Sequence, residues 1–200
     1  MGLLPAIAQT WPPAGVNGDG LSEATAWELS TPVHLEALAI SVNNGSLPTQ
    51  NKYFKLMDDI DLSSYADEEG WVPIGISSNR FKGNFNGNGK VIYNLTINNP
   101  TQDYMGLFGW VTGATIKNLG IVDCNITGKL DVGGLIGVNA VSTPATTIDS
   151  CYAIGIVSGE SSVGVLIGIS ENINISHCFT EGEVNGTKYL ALWVMDLLQM

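Results

Sequence analysis

A five-residue motif that returns at irregular intervals constrains this chain more than any other feature. Met105-Gly106-Leu107-Phe108-Gly109 recurs as Gly133-Gly134-Leu135-Ile136-Gly137 and as Gly164-Val165-Leu166-Ile167-Gly168. Between the copies lies a second motif, Thr115-Ile116-Lys117-Asn118-Leu119, then Thr147-Ile148-Asp149-Ser150-Cys151, then Asn174-Ile175-Ser176-His177-Cys178, with Val91-Ile92-Tyr93-Asn94-Leu95 as an earlier copy. A third element closes each unit: Ile126-Thr127-Gly128, Val157-Ser158-Gly159 and Val184-Asn185-Gly186. The first Ile of the second motif falls at 92, 116, 148 and 175, in steps of 24, 32 and 27 residues. A solenoid that keeps its strands and varies its turns has such a period. Each motif is short, β-branched and bounded by Gly or Asn, the pattern of a strand of about four to six residues. No helical periodicity separates them, which excludes crossover helices. The expected fold is all-β: a right-handed parallel β-helix (solenoid) with a short N-terminal capping helix. Each coil then buries its apolar face and satisfies its backbone groups only against its neighbours.

Alternation assigns the faces. Cys151 and Ala153 point inward and Tyr152 outward, and Cys178, Phe179 and Thr180 keep the same parity. Gly109, Gly137 and Gly168 are expected at corners, where a positive φ or a close turn excludes a Cβ. A phosphate cradle would need a basic residue or a helix start behind those glycines, and neither follows. Near the N-terminus, Thr31-Pro32 precedes His34-Leu35-Glu36-Ala37-Leu38-Ala39, a short helix with Thr31 as its cap and Pro32 at its first position. It would cover the first coil and close an otherwise open edge. The expected division is a leader or signal remnant over 1–16 and a single β-helix domain over 17–190. That domain has an N-terminal cap at 17–62 and repeats at about 80–190, and an atypical tail follows at 191–200. In the leader, Ala6 and Ala8 have cleavage-site spacing, so it reads either as the end of a secretory signal or as a disordered segment. In the tail the motif fails. After Gly186 and Leu190 the sequence runs Ala191-Leu192-Trp193-Val194-Met195 instead of a further Gly-rich copy, either as an apolar cap or as the end of a truncated array.

The residues together resemble the GLUG-repeat family, found in bacterial adhesin-like surface proteins and in non-catalytic regions of immunoglobulin A1 peptidases. The order that carries the resemblance is Asp59-Ile60-Asp61-Leu62, Trp71-Val72-Pro73-Ile74-Gly75 and Phe81-Lys82-Gly83-Asn84-Phe85-Asn86-Gly87-Asn88-Gly89. It continues through Ile92-Tyr93-Asn94-Leu95, Gly106-Leu107-Phe108-Gly109 and Ile116-Lys117-Asn118-Leu119-Gly120. The resemblance spans roughly residues 17–190. It implies an extracellular, secreted or cell-surface β-helical module, and it supplies no catalytic residues.

Charge narrows the partners. The net charge is −11, with 8 Lys and Arg against 19 Asp and Glu. A nucleic-acid footprint needs a basic patch, and an anionic membrane surface attracts basic segments, so both are disfavoured. No apolar run approaches the ~18 residues of a membrane-spanning helix.

Candidate chemistry is sparse, and the expectation is no catalytic, cofactor-binding or metal site and no cofactor. Cys151 and Cys178 occupy equivalent positions, about 4.8 Å apart in adjacent coils, as a buried free-thiol ladder in preference to a disulfide. Cys124 aligns with Gly155 and Gly182 and stands outside that stack. Three cysteines without CxxC spacing and two histidines do not make a zinc site. His34 and His177 lie towards opposite ends of a rod and so do not share the one cleft that Ser-His-Asp or Cys-His catalysis needs, and His177 and Cys178 face opposite sides of a strand, so a dyad is not expected. Asp58, Asp59, Asp61, Asp67, Glu68 and Glu69 form the densest acidic cluster. Its spacing fits neither an EF-hand nor a Gly-Asp nonapeptide, and it reads as a strand entry and a solvated loop. Polysaccharide lyases and hydrolases on β-helices need paired carboxylates or a basic residue with Ca²⁺ on an exposed face. Here Asp123, Asp131 and Asp149 are scattered, and Lys117 and Lys129 are unmatched in neighbouring coils. The N-x-S/T triplets beginning at Asn44, Asn94, Asn125, Asn174 and Asn185 read as compositional. The function expected first is an adhesive or structural module that binds a host or cell-surface glycan or protein along a flat side through Tyr, Trp and Asn, with end-to-end self-association at an open coil edge. A carbohydrate-active enzyme, or an accessory region of a secreted peptidase, is the alternative.

Overall fold

The computed structural model describes residues 11–140 and 143–191. The chain forms a parallel β-solenoid of about six turns with one short α-helix near its N-terminus. The front face is a stack of parallel strands: Trp27–Leu29, Tyr53–Leu56, the first part of Asn84–Tyr93, the first part of Thr115–Thr127, Thr146–Asp149 and Ile173–Ser176. One inward column runs through it in register, from Trp27 to Phe54, Phe85, Ile116, Ile148 and Ile175. A side wall continues from the front face through the long strands Asn84–Tyr93 and Thr115–Thr127 to Tyr152–Ser158 and Phe179–Asn185. Two three-stranded ribbons complete each coil. One holds Leu130–Gly133, Ser161–Gly164 and Lys188–Ala191, and the other Phe108–Val111, Ile136–Asn139 and Ile167–Ser170.

The register corrects the repeat alignment at its first copy. Ile92 pairs with Ile121, not with Ile116, whose partner is Phe85. The front-face steps are therefore 27, 31, 31, 32 and 27 residues between Trp27, Phe54, Phe85, Ile116, Ile148 and Ile175. The misalignment has a local cause. Four steps from Asn86 to Lys90 match only two from Lys117 to Leu119, so the coil carries two extra residues at this bend. Asn88 and Gly89 absorb them with φ of 56° and 73°. The other equivalences hold: Phe108, Ile136 and Ile167 share a column, as do Ile97, Ile126, Val157 and Val184.

The bends also differ from expectation. Gly109, Gly137 and Gly168 are not at positive-φ corners; they sit inside strands. What excludes a side chain there is the approach of neighbouring backbone. A Cβ on Gly137 would lie 2.5 Å from the Tyr104 carbonyl carbon, and one on Gly168 2.5 Å from Val132 N. The left-handed bends are made by other residues, in columns: Asn118, Ser150 and His177 at φ 54°, 53° and 51°, and Tyr104, Asp131, Ser162 and Tyr189 at 67°, 56°, 56° and 50°. Asn and Asp tolerate this region best among residues with a Cβ.

The interior changes character along the axis. In the first coils Trp11, Trp27, Phe54, Phe81 and Phe108 form a continuous run of rings with centroids 4.9–5.7 Å apart. From Ile116 onward the filling is Ile, Val, Leu, Ala and Cys, with Thr146 and Asn139 also buried. Each fully buried side chain of this size contributes about 1.5–3 kcal/mol. The helix, Pro32–Asn43, occupies the sides of the first coil and buries Leu35, Leu38, Ala39 and Val42 in the common core. Thr31 caps it as expected, its Oγ1 accepting from His34 N at 3.2 Å. At the other end Asn43 ties it to the next coil: Nδ2 donates to Pro73 O at 2.9 Å and Oδ1 accepts from Gly75 N at 2.8 Å. The leader expected at 1–16 and the tail at 191–200 fall mostly outside the described residues. Within the former, Trp11 packs edge-on against Trp27 and Phe54.

Candidate functional site

The front face presents two outward ladders. One is neutral and hydrogen-bonding: Tyr53, Asn84, Thr115, Thr147 and Asn174. The other is polar with charges: Glu28, Lys55, Asn86, Lys117, Asp149 and Ser176. Inward Trp27, Phe54, Phe85 and Ile116 alternate with them, so burial of the core fixes which side chains face out. A small cavity of about 60 Å³ lies on this face among Tyr53, Asn84, Asn86, Lys55 and Lys117, closed on one side by Glu23. An open groove of about 350 Å³ adjoins it. The two share Tyr53, Asn84 and Thr115, and Lys82 and Gln50 line the groove.

Glu23 comes from a loop of the first coil. That loop is pinned at its base by bonds of its own: Asp19 N and Gly20 N donate to Thr25 O, Leu21 N donates to Asp19 Oδ1, and Thr25 N donates to Ser22 Oγ. Its tip reaches across the front face to the fourth rung. Lys117 Nζ lies 2.7 Å from Glu23 Oε1, and Asn86 Nδ2 donates to the same oxygen at 3.4 Å. Lys117 holds the Glu23 carboxyl below its usual range, first by hydrogen bonding and then by charge. The other ladder carboxylates are engaged elsewhere. Glu28 accepts from Asn17 Nδ2 at 3.2 Å, and Asp149 bonds Ser176 Oγ at 2.6 Å and His177 Nδ1 at 2.8 Å.

A second concavity flanks Trp71 and Val72. On one side a groove of about 580 Å³ runs between the helix and Tyr65, whose hydroxyl donates to Glu36 at 3.0 Å and whose pKa burial pushes up to about 12. On the other a groove of about 440 Å³ lies among Glu69, Ile76, Gln102, Tyr104 and Met105. Among the described residues the first coils show no counterpart to the ribbon that begins with the Met105–Val132 bridge, and this groove lies beside that edge.

The residues singled out from sequence fall in separate places. Cys124, Cys151 and Cys178 are buried free thiols, and Cys124 pairs with Gly155 as the alignment required. The Cys151 thiol donates to Asp149 O at 3.4 Å and that of Cys178 to Ser176 O at 3.1 Å; the neighbouring Cys178 and burial push Cys151 far up, while Cys178 is drawn down. His34 is buried against Ala14 O and Ser30 N. His177 is exposed on a bend, and Asp149 raises its pKa. Within the acidic cluster Asp59 accepts from Val91 N at 2.9 Å and Asp61 from Asn94 Nδ2 at 2.8 Å, which staples consecutive coils. Glu69 does the same for Asn99 Nδ2 at 2.8 Å. Among the described residues no three His, Cys, Asp or Glu side chains converge as metal ligands would. Asp123, Asp131 and Asp149 stand on three different sides of the coil. The Asp131 carboxyl is raised by burial, with Asp103 adding to the effect. Tyr152 and Phe179 stack at 4.8 Å and 7°, with the Tyr152 ring over Gly120. Sequence reasoning placed Lys117 on an exposed face but missed its partner, because Glu23 lies 94 residues away.

No family model matches the chain. Its relatives are parts of much larger proteins. It is 35% identical over 128 residues to a protein of Evansella cellulosilytica provisionally named a Gly-rich membrane protein, covering 61% of this chain and 14% of that one. It is 33% identical over 147 residues to halomucin of Haloquadratum walsbyi, covering 69% and 2%. It is 31% identical over 102 residues to the immunoglobulin A1 protease of Streptococcus sanguinis, covering 51% and 5%. The chain thus spans between 2% and 14% of the length of these curated relatives. Among the described residues no helix is long and apolar enough to cross a membrane.

Proposed function

We propose that this chain is a non-catalytic β-helical repeat module of a bacterial secreted or cell-surface protein, of the GLUG-repeat kind, and that its role is adhesive. The observation that carries the reading is the front-face ladder of Tyr53, Asn84, Thr115, Thr147 and Asn174. Neutral donors and acceptors repeat there about every 4.8 Å on a rigid wall, an arrangement suited to holding a polar chain along the axis. Similarity to parts of an immunoglobulin A1 protease and of a protein named as a membrane protein supports a module carried within a larger polypeptide. Purified protein incubated with arrayed glycans and immobilised host glycoproteins should bind reversibly, and Asn84→Ala with Thr115→Ala should remove the binding. Release of reducing ends or unsaturated sugars from a bound polysaccharide, or binding indifferent to the double variant, would overturn the reading. End-to-end association would use Ile173–Ser176 and Phe179–Asn185, each paired on one side only among the described residues. Sedimentation as one monomeric species would remove it.

A further inference from the structure

We infer that the front face is a site for an acidic oligosaccharide, held shut by Glu23 acting as a built-in substitute for the ligand's carboxylate. This rests on the adhesive reading and names its ligand class.

The charge distribution comes first. The chain carries 8 basic against 19 acidic residues, yet the side chains lining the two adjoining front-face cavities include three lysines, Lys55, Lys82 and Lys117, and one carboxylate, Glu23. The balance is inverted where a ligand would sit. Glu28 and Asp149, the remaining acids of the ladder, are turned to Asn17 and to Ser176 and His177, so neither neutralises those lysines by contact. A local positive field in an acidic protein attracts anions and repels basic partners.

The strap comes second. Its fold is maintained by bonds among residues 19–25, its base is anchored where Tyr53 N donates to Gly20 O at 3.1 Å, and its tip is held on the front face by the Glu23 carboxylate on Lys117 and Asn86. Both partners of the ion pair are partly exposed, at 33% and 60%. Exposed pairs of this kind are weak and screened by salt, so an external carboxylate displaces Glu23 at little cost. The geometry it would inherit is already built: an ammonium and an amide N–H converging on one oxygen.

The neighbouring groups select a sugar over an acidic peptide. Tyr53, Asn84, Asn86 and Thr115 offer side-chain amides and hydroxyls in two parallel columns, matched to a chain with hydroxyls on every unit. A peptide presents one N–H and one C=O per residue to them, whereas a sugar presents several hydroxyls per unit that can each donate or accept, so the sugar leaves fewer polar groups unpaired, and unpaired polar groups cost affinity.

Titration calorimetry with tetragalacturonate and with its methyl ester separates charge from shape. The acid should bind at least fivefold more tightly than the ester. Glu23→Gln should tighten binding of the acid by up to about fivefold, the worth of an exposed ion pair. Lys117→Gln should weaken it about tenfold, as the loss of a charged hydrogen bond does, with the circular dichroism spectrum unchanged. Equal binding of acid and ester would overturn the inference and leave the adhesive reading standing if Asn84→Ala with Thr115→Ala abolished both. Weaker binding by Glu23→Gln, a glutamate tetrapeptide bound as tightly as the sugar, or no binding of either sugar would each overturn it.

Discussion

Glycine does two separate jobs here, and a substitution distinguishes them. At Gly137 the backbone is ordinary strand, and the space is taken: a Cβ would meet Tyr104 C at 2.5 Å, Met105 N at 2.8 Å and Asp131 O at 2.9 Å. All three obstacles are backbone, which side-chain rotation cannot clear. Gly137→Ala should therefore cost at least the ~1–3 kcal/mol of an overpacked core. At Gly89 nothing lies within 4 Å, but φ is 73°. Gly89→Ala should cost only the ~1–2 kcal/mol of placing a Cβ in the left-handed region. Urea midpoints of the two variants check the order; equal losses would mean that crowding at Gly137 relaxes. The recurrence of Gly137 with Gly109 and Gly168 was readable in the sequence, but its reason was not. A repeated glycine looks the same whether it serves a bend or a close approach. Residue parity was readable on the side wall, where Cys151, Tyr152 and Ala153 alternate as a half-buried strand must.

Among the elements, the helix Pro32–Asn43 was the easiest to foresee and is the most dependent on its surroundings. Thr31 and Pro32 mark its start, yet no acidic residue sits in its first turn and no basic residue in its last. Twelve residues are marginal for an isolated helix, so its stability comes from burial and from Asn43. Thr31→Ala should cost about 1 kcal/mol, the worth of a cap. Asn43→Ala should cost more, about 1–3 kcal/mol, because it leaves Gly75 N and Pro73 O without their partner. Thermal unfolding of both variants tests the ranking, and a larger loss for Thr31→Ala would show that the helix is held by its start. The first two rungs, Trp27–Leu29 and Tyr53–Leu56, escaped the repeat alignment. The helix replaces the motifs that would have marked the first coil, and aromatic rings replace the Ile of later copies. The Glu23 loop was invisible for a plainer reason: nothing local announces an ion pair to a residue three coils on.

Across the whole molecule, stability is a sum of rungs and the interfaces between them. Phe85 is fully buried in the third rung and touches Phe108 at 5.4 Å, whereas Ile175 is partly buried in the last described one. Phe85→Ala should cost about 3–5 kcal/mol and raise amide exchange in coils on both sides. Ile175→Ala should cost less and raise exchange only around Ile173–Ser176 and Thr146–Asp149. Uniform exchange in both variants would show that the solenoid unfolds as a single unit. The architecture also has a tolerance that a globular core lacks. Between Asn86 and Lys90 the chain accepts two residues more than the coil beneath it and returns to register at Leu119. Foreign peptides grafted at Gly89 would bulge into open space while the walls on either side stayed paired, so this bend is where sequence novelty can accumulate, by natural variation or by an engineer's insertion, with the rod left intact.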